Sequence, residues 1–295
     1  MNKESIIYIA GHSGLVGSAI LRALKKRGFK NIITANRSKL DLIDSTKVSE
    51  FFSENKIEYV FDAAARVGGI SANDTYSGEF IYQNTMIQSN LIHYSYLNKV
   101  KKLVFLGSVC IYPKFSPTPV KESSLLCGEL EPTNEAYAIA KIHGIKMLQA
   151  YNKQYGFKSL ALMPCNLYGP NDNYHPENSH VIPALIRKFY EAKNGPVICW
   201  GDGTPMREFM YVDDLADAAI FSMSKYENSE LINVGSGEDV SIKSLAEMIS
   251  KLTGYKGDII WDKSKPNGTP KRALDYSKIT LLGWKAKYKL KQGLE

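Results

Sequence analysis

Residues 6–17 read Ile6-Ile7-Tyr8-Ile9-Ala10-Gly11-His12-Ser13-Gly14-Leu15-Val16-Gly17. The apolar run predicts a short buried strand, and the three glycines that follow predict a tight turn into a helix. A turn of this kind brings bare backbone close to a pyrophosphate. The free N–H groups and the positive end of the next helix then hold the charge. A glycine triplet alone is a weak signal, but here it lies between a predicted strand and a predicted helix, which points to a dinucleotide site. Gly11, Ser13, Gly14, Leu15, Val16 and Gly17 are its expected contacts.

The alternation continues beyond this segment. Strand-like runs at 32–35, 59–63, 103–107 and 159–164 alternate with helical patterns at 15–27, 45–55, 81–98 and 136–155. The pattern predicts right-handed βαβ units and an α/β fold, a Rossmann-like doubly wound parallel sheet. After residue 168 the chain is more irregular. A long loop at 169–179 precedes a helix at 182–193, strands at 197–200, 208–212 and 231–233, and helices at 213–224 and 242–252. This predicts a smaller α/β C-terminal substrate lobe. The expected division is 1–168 with 213–240 for the nucleotide domain, and 169–212 with 241–295 for the second lobe.

The 295 residues carry 37 Lys+Arg against 30 Asp+Glu, a formal net charge of +7. The basic residues are scattered, which argues against nucleic acid. No apolar run is long enough for a membrane span or a signal-peptide core. The four cysteines, Cys110, Cys127, Cys165 and Cys199, are too widely spaced for a zinc site or a disulfide framework. The expectation is a cytoplasmic protein with no metal, no membrane and no nucleic-acid partner.

The second strand is followed by Asn36-Arg37, where an NAD site usually carries an acid on the ribose. Arg37 suits a 2′-phosphate, so NADP(H) is the expected cofactor. Tyr137 and Lys141 lie four apart on a predicted helix and share a face. An ammonium beside a phenol stabilises phenolate, so the tyrosine can exchange a proton with a carbonyl oxygen while hydride moves. Ser108, after the fourth strand, completes that site.

These features resemble the extended short-chain dehydrogenase/reductase superfamily and, more closely, its GDP-L-fucose synthase family of GDP-4-keto-6-deoxy-D-mannose 3,5-epimerase/4-reductases. The similarity runs from residue 6 to 275 through segments such as GHSGLVGSAI, AARVGGI, GSVCIYP, LEPTNEAYAIAKI, CNLYGPNDNYHPENSHVIPALIRKF, WGDGTPMREF and SKPNGTP. It implies NADPH-dependent epimerisation and reduction of a GDP-4-keto-6-deoxy-hexose by a homodimer paired through the helices at 81–98 and 136–155. Read alone, Cys110 is a packing cysteine and His180 a helix-start residue. The resemblance makes them the base and acid at C3 and C5, whose protons are acidic because both flank the ketone. Cys110 was placed by strand geometry, in which residues two apart share a face, on the side of Ser108. A thiol serves as base if nearby cations bring its pKa toward neutrality.

The resemblance also implies cofactor contacts at Asp41, Leu42, Ala64, Leu106, Gly107, Lys141, Pro164, Asn166, Leu167 and His180. Substrate contacts are implied at Asn166, Lys188, Trp200, Arg207 and Asn267, with Arg207 expected to be buried. Ser13, Val109, Lys188 and Asn267 depart from the usual residues, which leaves room for a related substrate such as a GDP-heptose derivative, or for a reductase without epimerase activity. A dehydratase is disfavoured because Val109 and Cys110 stand where its acids would be. A non-enzymatic NADP sensor is disfavoured by the presence of both Tyr137 and Lys141. The resemblance further implies one more C-terminal helix beyond Glu295, so the tail is expected to be trimmed.

Overall fold

The computed structural model describes residues 1–176, 178–192, 195–265, 267 and 271–295. The expected helix end at Lys193, and Pro266 with 268–270 of the SKPNGTP segment, lie outside the described residues.

The chain begins β1 (Ile7–Ala10), α1 (Leu15–Lys26), β2 (Ile32–Ile33), α2 (Ser45–Asn55), β3 (Tyr59–Asp62), α3 (Ile70–Thr75), α4 (Ser77–Leu97) and β4 (Lys102–Leu106). It continues with α5 (Glu135–Tyr155), β5 (Ser159–Pro164), β6 (Asn166–Tyr168), α6 (Val181–Glu191), β7 (Val197–Trp200), β8 (Met206–Tyr211) and α7 (Val212–Lys225). The last elements are β9 (Leu231–Val234), β10 (Asp239–Ser241), α8 (Ile242–Leu252), β11 (Ile259–Asp262), β12 (Lys271–Arg272), α9 (Ser277–Leu281) and α10 (Leu290–Leu294).

The main sheet has the order β2-β1-β3-β4-β5-β9, and all its pairs are parallel. From β1 the chain runs out to β2, then returns to the other side for β3. The order therefore reverses between β1 and β3, and a crevice opens outside their carboxyl ends. Strands covered on both faces are mostly apolar: β1, β4 and β5 are buried at every position, with Lys102 and Ser159 as the polar residues that open β4 and β5. Helices α1 and α7 pack together on one face, and α4 packs on α5 across the other.

Several boundaries differ from the sequence reading. β2 is shorter because Asn36 opens a turn, its side-chain oxygen accepting the Lys39 N–H at 3.1 Å. α4 starts earlier and follows a short unexpected helix, α3. β6 falls on a stretch for which no element is expected, and it pairs in parallel with β8. Helix α8 matches its expected span, with Ser241 accepting the Ser244 N–H at its N-cap.

Beyond the main sheet, β8 is flanked by β10 and β12 and also pairs with β6, while β7 pairs with β11. A second apolar core, including Ile182, Phe189, Phe209, Leu245 and Ile249, fills this part. Leu274, Ile279 and Trp284 return to the first core, so the stretch 241–295 does not form one continuous part of the second lobe. Among the described residues, no helix is long and apolar enough to cross a membrane.

A buried lysine ties α7 to the central sheet. Lys102 on β4 donates to the carbonyls of Ser222 and Met223, both at 3.0 Å, and to that of Tyr226. An ammonium suits the negative end of a helix, where the last carbonyls lack the N–H partners of a continuing helix. Lys102→Met should therefore cost about 1–3 kcal/mol. Urea unfolding of the variant checks it, and an unchanged midpoint would contradict the capping role.

Candidate active site

The loop 11–17 leaves β1 and turns against the end of β3. Gly11 has a φ of +76°, and a Cβ there would come within 2.6 Å of the Ala63 carbonyl oxygen. A Cβ on Gly17 would lie 2.1 Å from the Gly11 oxygen. Both positions need glycine for the close approach. Gly14 caps α1 with no side-chain hydrogen bond, so the first-turn N–H groups of the helix face outward. Ser13 and Gly14 are exposed beside them. This cradle of bare backbone fits a dinucleotide pyrophosphate. Ala64 borders it, and Leu106 and Gly107 at the end of β4, with Pro164 at the end of β5, line the continuing crevice.

Arg37 lies beyond β2, well exposed, with its Nε 3.4 Å from Asp41 Oδ2. An exposed pair of this kind is weak, so the guanidinium is free to turn toward a phosphate. Leu42 is fixed behind it, its carbonyl accepting from Asn90 at 2.8 Å.

Ser108, Cys110, Tyr137 and Lys141 come together where β4 ends. Lys141 is 3% exposed, and its Nζ donates to the Leu106 carbonyl at 2.8 Å. It also sits 4.6 Å from the Phe105 ring centroid and 5.8 Å from that of Tyr137. Burial pushes the ammonium pKa down, while Asp62 and then Cys110 pull it up. Tyr137 was expected to have a lowered pKa. Instead burial pushes its hydroxyl up, and Cys110 and Asp62 add to the rise.

Two expectations about Cys110 are corrected. Ser108–Cys110 does not continue the strand. Ser108 instead caps a 3-10 turn, Val109–Ile111, and accepts the Cys110 N–H at 3.4 Å. The thiol is 7% exposed and is pushed up to about 11, chiefly by burial. The Ser108 hydroxyl, Lys141 and Arg272 each pull it back.

His180 is exposed at the N-cap of α6. The loop before it docks on the first lobe, where the Gly69 N–H donates to the Asn178 carbonyl at 3.2 Å. Asp172 lies close enough to feel its charge. Asn166 is exposed on β6 and donates to the Glu208 carbonyl at 3.0 Å, with Leu167 half-buried beside it.

The expected nucleotide-sugar residues lie on the second lobe. Trp200 is 59% exposed at the end of β7, with the Lys265 ammonium 5.8 Å from its ring centroid. Lys188 donates to the Ile198 carbonyl at 2.9 Å, and Asn267 accepts the Asp202 N–H at 2.8 Å. Arg207 is only half-buried, because the opposite side of β8 carries the buried Glu208. Its cross-strand neighbour is Arg272; burial pushes the Arg207 pKa down, and the nearby Arg272 charge adds to the fall.

Two residues escaped the sequence reading. Arg272 donates to the carbonyls of Val109 at 3.4 Å and Pro113 at 3.3 Å, on either side of Cys110. Asp62, buried at the end of β3, faces Lys141. An acid inside the apolar run Tyr59-Val-Phe-Asp62-Ala-Ala was the available signal.

The family described as "NAD dependent epimerase/dehydratase family" matches residues 7–235. A putative GDP-L-fucose synthase 2 of Arabidopsis thaliana is 55% identical, covering 100% of this chain and 90% of that protein. The GDP-L-fucose synthase of Escherichia coli K12 is 53% identical, covering 100% and 95%. The chain belongs to the NAD dependent epimerase/dehydratase family, among the GDP-L-fucose synthases. Its fold is shared by the solved structure of a GDP-mannoheptose C4 reductase from Campylobacter jejuni with NADP bound, at a TM-score of 0.92 and 42% identity, covering 100% of this chain and 97% of that one. Members of the family use a nicotinamide cofactor, as the glycine cradle here requires.

Cys127 is exposed and Cys110 buried. At pH 8, iodoacetamide should label Cys127 first, and Cys110 labelling should climb only as the pH approaches about 11. Peptide mass mapping of the timed reaction checks it. Equal early labelling of both would contradict the burial.

Proposed function

We propose that this protein is an NADPH-dependent 3,5-epimerase/4-reductase that converts a GDP-4-keto-6-deoxy-hexose to GDP-L-fucose. The observation that carries the reading is the cluster of Ser108, Cys110, Tyr137 and Lys141 at the crevice of a chain more than half identical to enzymes of that name.

The 4-ketone acidifies the protons at C3 and C5. Cys110, as thiolate, takes such a proton from one face, and the electron pair moves into the ketone as an enolate. His180 returns a proton from the opposite face and so inverts the carbon. Lys141 and Arg272 supply the positive charge that a buried thiolate needs. Ser108 donates a hydrogen bond to the C4 oxygen. NADPH, when bound, supplies the hydride that C4 accepts. Tyr137 gives the C4 oxygen its proton, which leaves the phenolate beside Lys141. The cradle 11–17 with Ala64, Leu106, Gly107, Pro164, Asn166 and Leu167 would hold the cofactor, and Arg37 with Asp41 and Leu42 would border its 2′-phosphate. Arg207, Trp200, Lys188 and Asn267 would hold the GDP part, where an arginine grips diphosphate and an indole stacks on a base.

We also propose a division close to the one expected above, with 1–168 and 213–240 for the cofactor and 169–212 with the remainder for the sugar nucleotide, except that the segment bearing Leu274, Ile279 and Trp284 packs back on the first core. A cytoplasmic homodimer through α4 and α5 accords with the exposed Tyr82 and Ile139 on these helices. One second reading has a specific observation behind it. The likeness to a GDP-mannoheptose C4 reductase favours reduction of a GDP-4-keto-heptose derivative.

Incubation with GDP-4-keto-6-deoxymannose and NADPH should yield GDP-L-fucose by NMR, with NADH much slower. A product reduced at C4 with C3 and C5 unchanged would favour the second reading. Cys110→Ser should keep NADPH binding yet lose solvent deuterium uptake at C3 and C5. Unchanged uptake would remove Cys110 from the mechanism. Tyr137→Phe should lower reduction about 10²–10⁴-fold while deuterium uptake persists.

A further inference from the structure

Asp62 ends β3 and is 1% exposed. Its Oδ1 accepts the Ala64 N–H at 3.3 Å, and its Oδ2 has no hydrogen-bond partner among the described residues. Buried carboxylate oxygens are rarely left in this state unless a nearby charge compensates. The cross-strand partner of Asp62 is Phe105 on β4. The Lys141 ammonium lies over that same Phe105 ring and bonds the carbonyl of the next residue, Leu106. The carboxylate on β3 and the ammonium that α5 lays over β4 therefore stand at one level of the sheet, on the face that α5 covers. Tyr137 is one helical turn before Lys141 and edges onto the same pocket.

The charged and titratable groups around Asp62 come from three elements. Tyr8 faces it from β1, and Lys141 and Tyr137 face it from α5. Cys110, on the turn after β4, faces Lys141 and Tyr137 in turn. Only Lys141 carries a positive charge in that set. A lysine so fully buried sheds its proton unless an anion stands nearby. A neutral amine would give no electrostatic support to a phenolate on Tyr137.

We propose that Asp62 is a positioning residue of the active site: as a buried counter-ion it keeps Lys141 protonated, and through Lys141 it sets the proton affinity of Tyr137. The second half rests on the reductase reading above. The first half stands on the packing alone. Burial pushes the Asp62 carboxyl up to about 6, and Lys141 pulls it down. The pair thus titrates as a unit, and neither pKa belongs to one residue. A raised carboxyl pKa favours the fold at low pH and loses that contribution as pH rises through about 6. The isosteric amide in Asp62→Asn removes this loss, so the variant's stability should gain on the wild type between about pH 4 and 6.

A double-mutant cycle on urea unfolding of the full chain tests the pairing without any turnover. D62N, K141M and the double variant are compared at pH 8 and pH 5. The pairing requires the effect of D62N on the folding equilibrium at pH 8 to differ at least fivefold between the wild-type and K141M backgrounds, and to differ less at pH 5. Additive effects at both pH values overturn it. The second arm is the pH profile of 4-keto-sugar reduction at saturating NADPH. In D62N and D62L the alkaline limb should move at least one pH unit toward acid, and D62E should restore it. A limb that stays in place overturns the role of Asp62 toward Tyr137. If wild type reduces no 4-keto-sugar nucleotide, the reductase reading fails, and the unfolding cycle still decides the pairing.

Discussion

Lys141 holds a positive charge where water scarcely reaches. Its ammonium is kept in place by one carbonyl, that of Leu106, and by the rings of Phe105 and Tyr137. That carbonyl is available only because β4 stops at Leu106 and the chain turns away at Gly107. The sheet therefore ends at the point where the cation needs an acceptor. Everything reactive in the site is arranged at short range around this charge: the Tyr137 hydroxyl on the same helix, the Cys110 thiol on the turn after β4, and the Asp62 carboxylate on the neighbouring strand. Losing the ammonium would leave the Tyr137 hydroxyl beside two groups, Cys110 and Asp62, that both raise its proton affinity.

The parallel sheet makes such a gathering possible. All its strands end on one side, so β1, β3, β4 and β5 deliver the glycine loop, Asp62, Ser108 and Pro164 to a common edge. The order reversal between β1 and β3 opens the crevice there. The second lobe meets that edge through β6, which leaves the end of β5 and pairs with β8. β8 carries Arg207 and its neighbour β12 carries Arg272, whose guanidinium reaches the Val109 and Pro113 carbonyls beside Cys110. On the proposed reading, a sugar nucleotide would turn its phosphates toward Arg207 and its ketone toward Tyr137.

Local pattern made the fold legible. The strand at 6–10 with its glycine turn, and the Tyr137/Lys141 spacing, depend on residues close in sequence, and they stand where the pattern put them. The errors arose where tertiary context decides. β6 is three residues long and forms only because β8 lies alongside, so no periodicity marks it. The turn at Ser108–Cys110 reads as strand because it directly follows the fourth strand, but Ser108 satisfies the Cys110 N–H and closes the turn. The protonation behaviour of Tyr137 is read from an ammonium and a nicotinamide beside it, and that of Cys110 from cationic groups nearby. Burial raises both groups, and burial is not written in a four-residue spacing. Arg272 lies 163 and 159 residues from the Val109 and Pro113 carbonyls it touches, a distance at which sequence alone carries no contact.

The mutual influence of Cys110 and Tyr137 bears on how two kinds of chemistry share one pocket. A negative charge on either raises the proton affinity of the other. Lys141 lies near both groups, Arg272 acts on Cys110, and the Asp62 carboxylate already stands beside the ammonium, so a further pair of anions in this pocket is costly. On the roles proposed above, a Cys110 thiolate would hold Tyr137 in its protonated form, and reprotonation of the thiol would relieve the phenolate that reduction leaves behind. Proton transfer at carbon and proton transfer at oxygen would thus be kept apart in time by electrostatics. The order that results, epimerisation before reduction, is also the order the substrate demands, since reducing the ketone removes the acidity of C3 and C5.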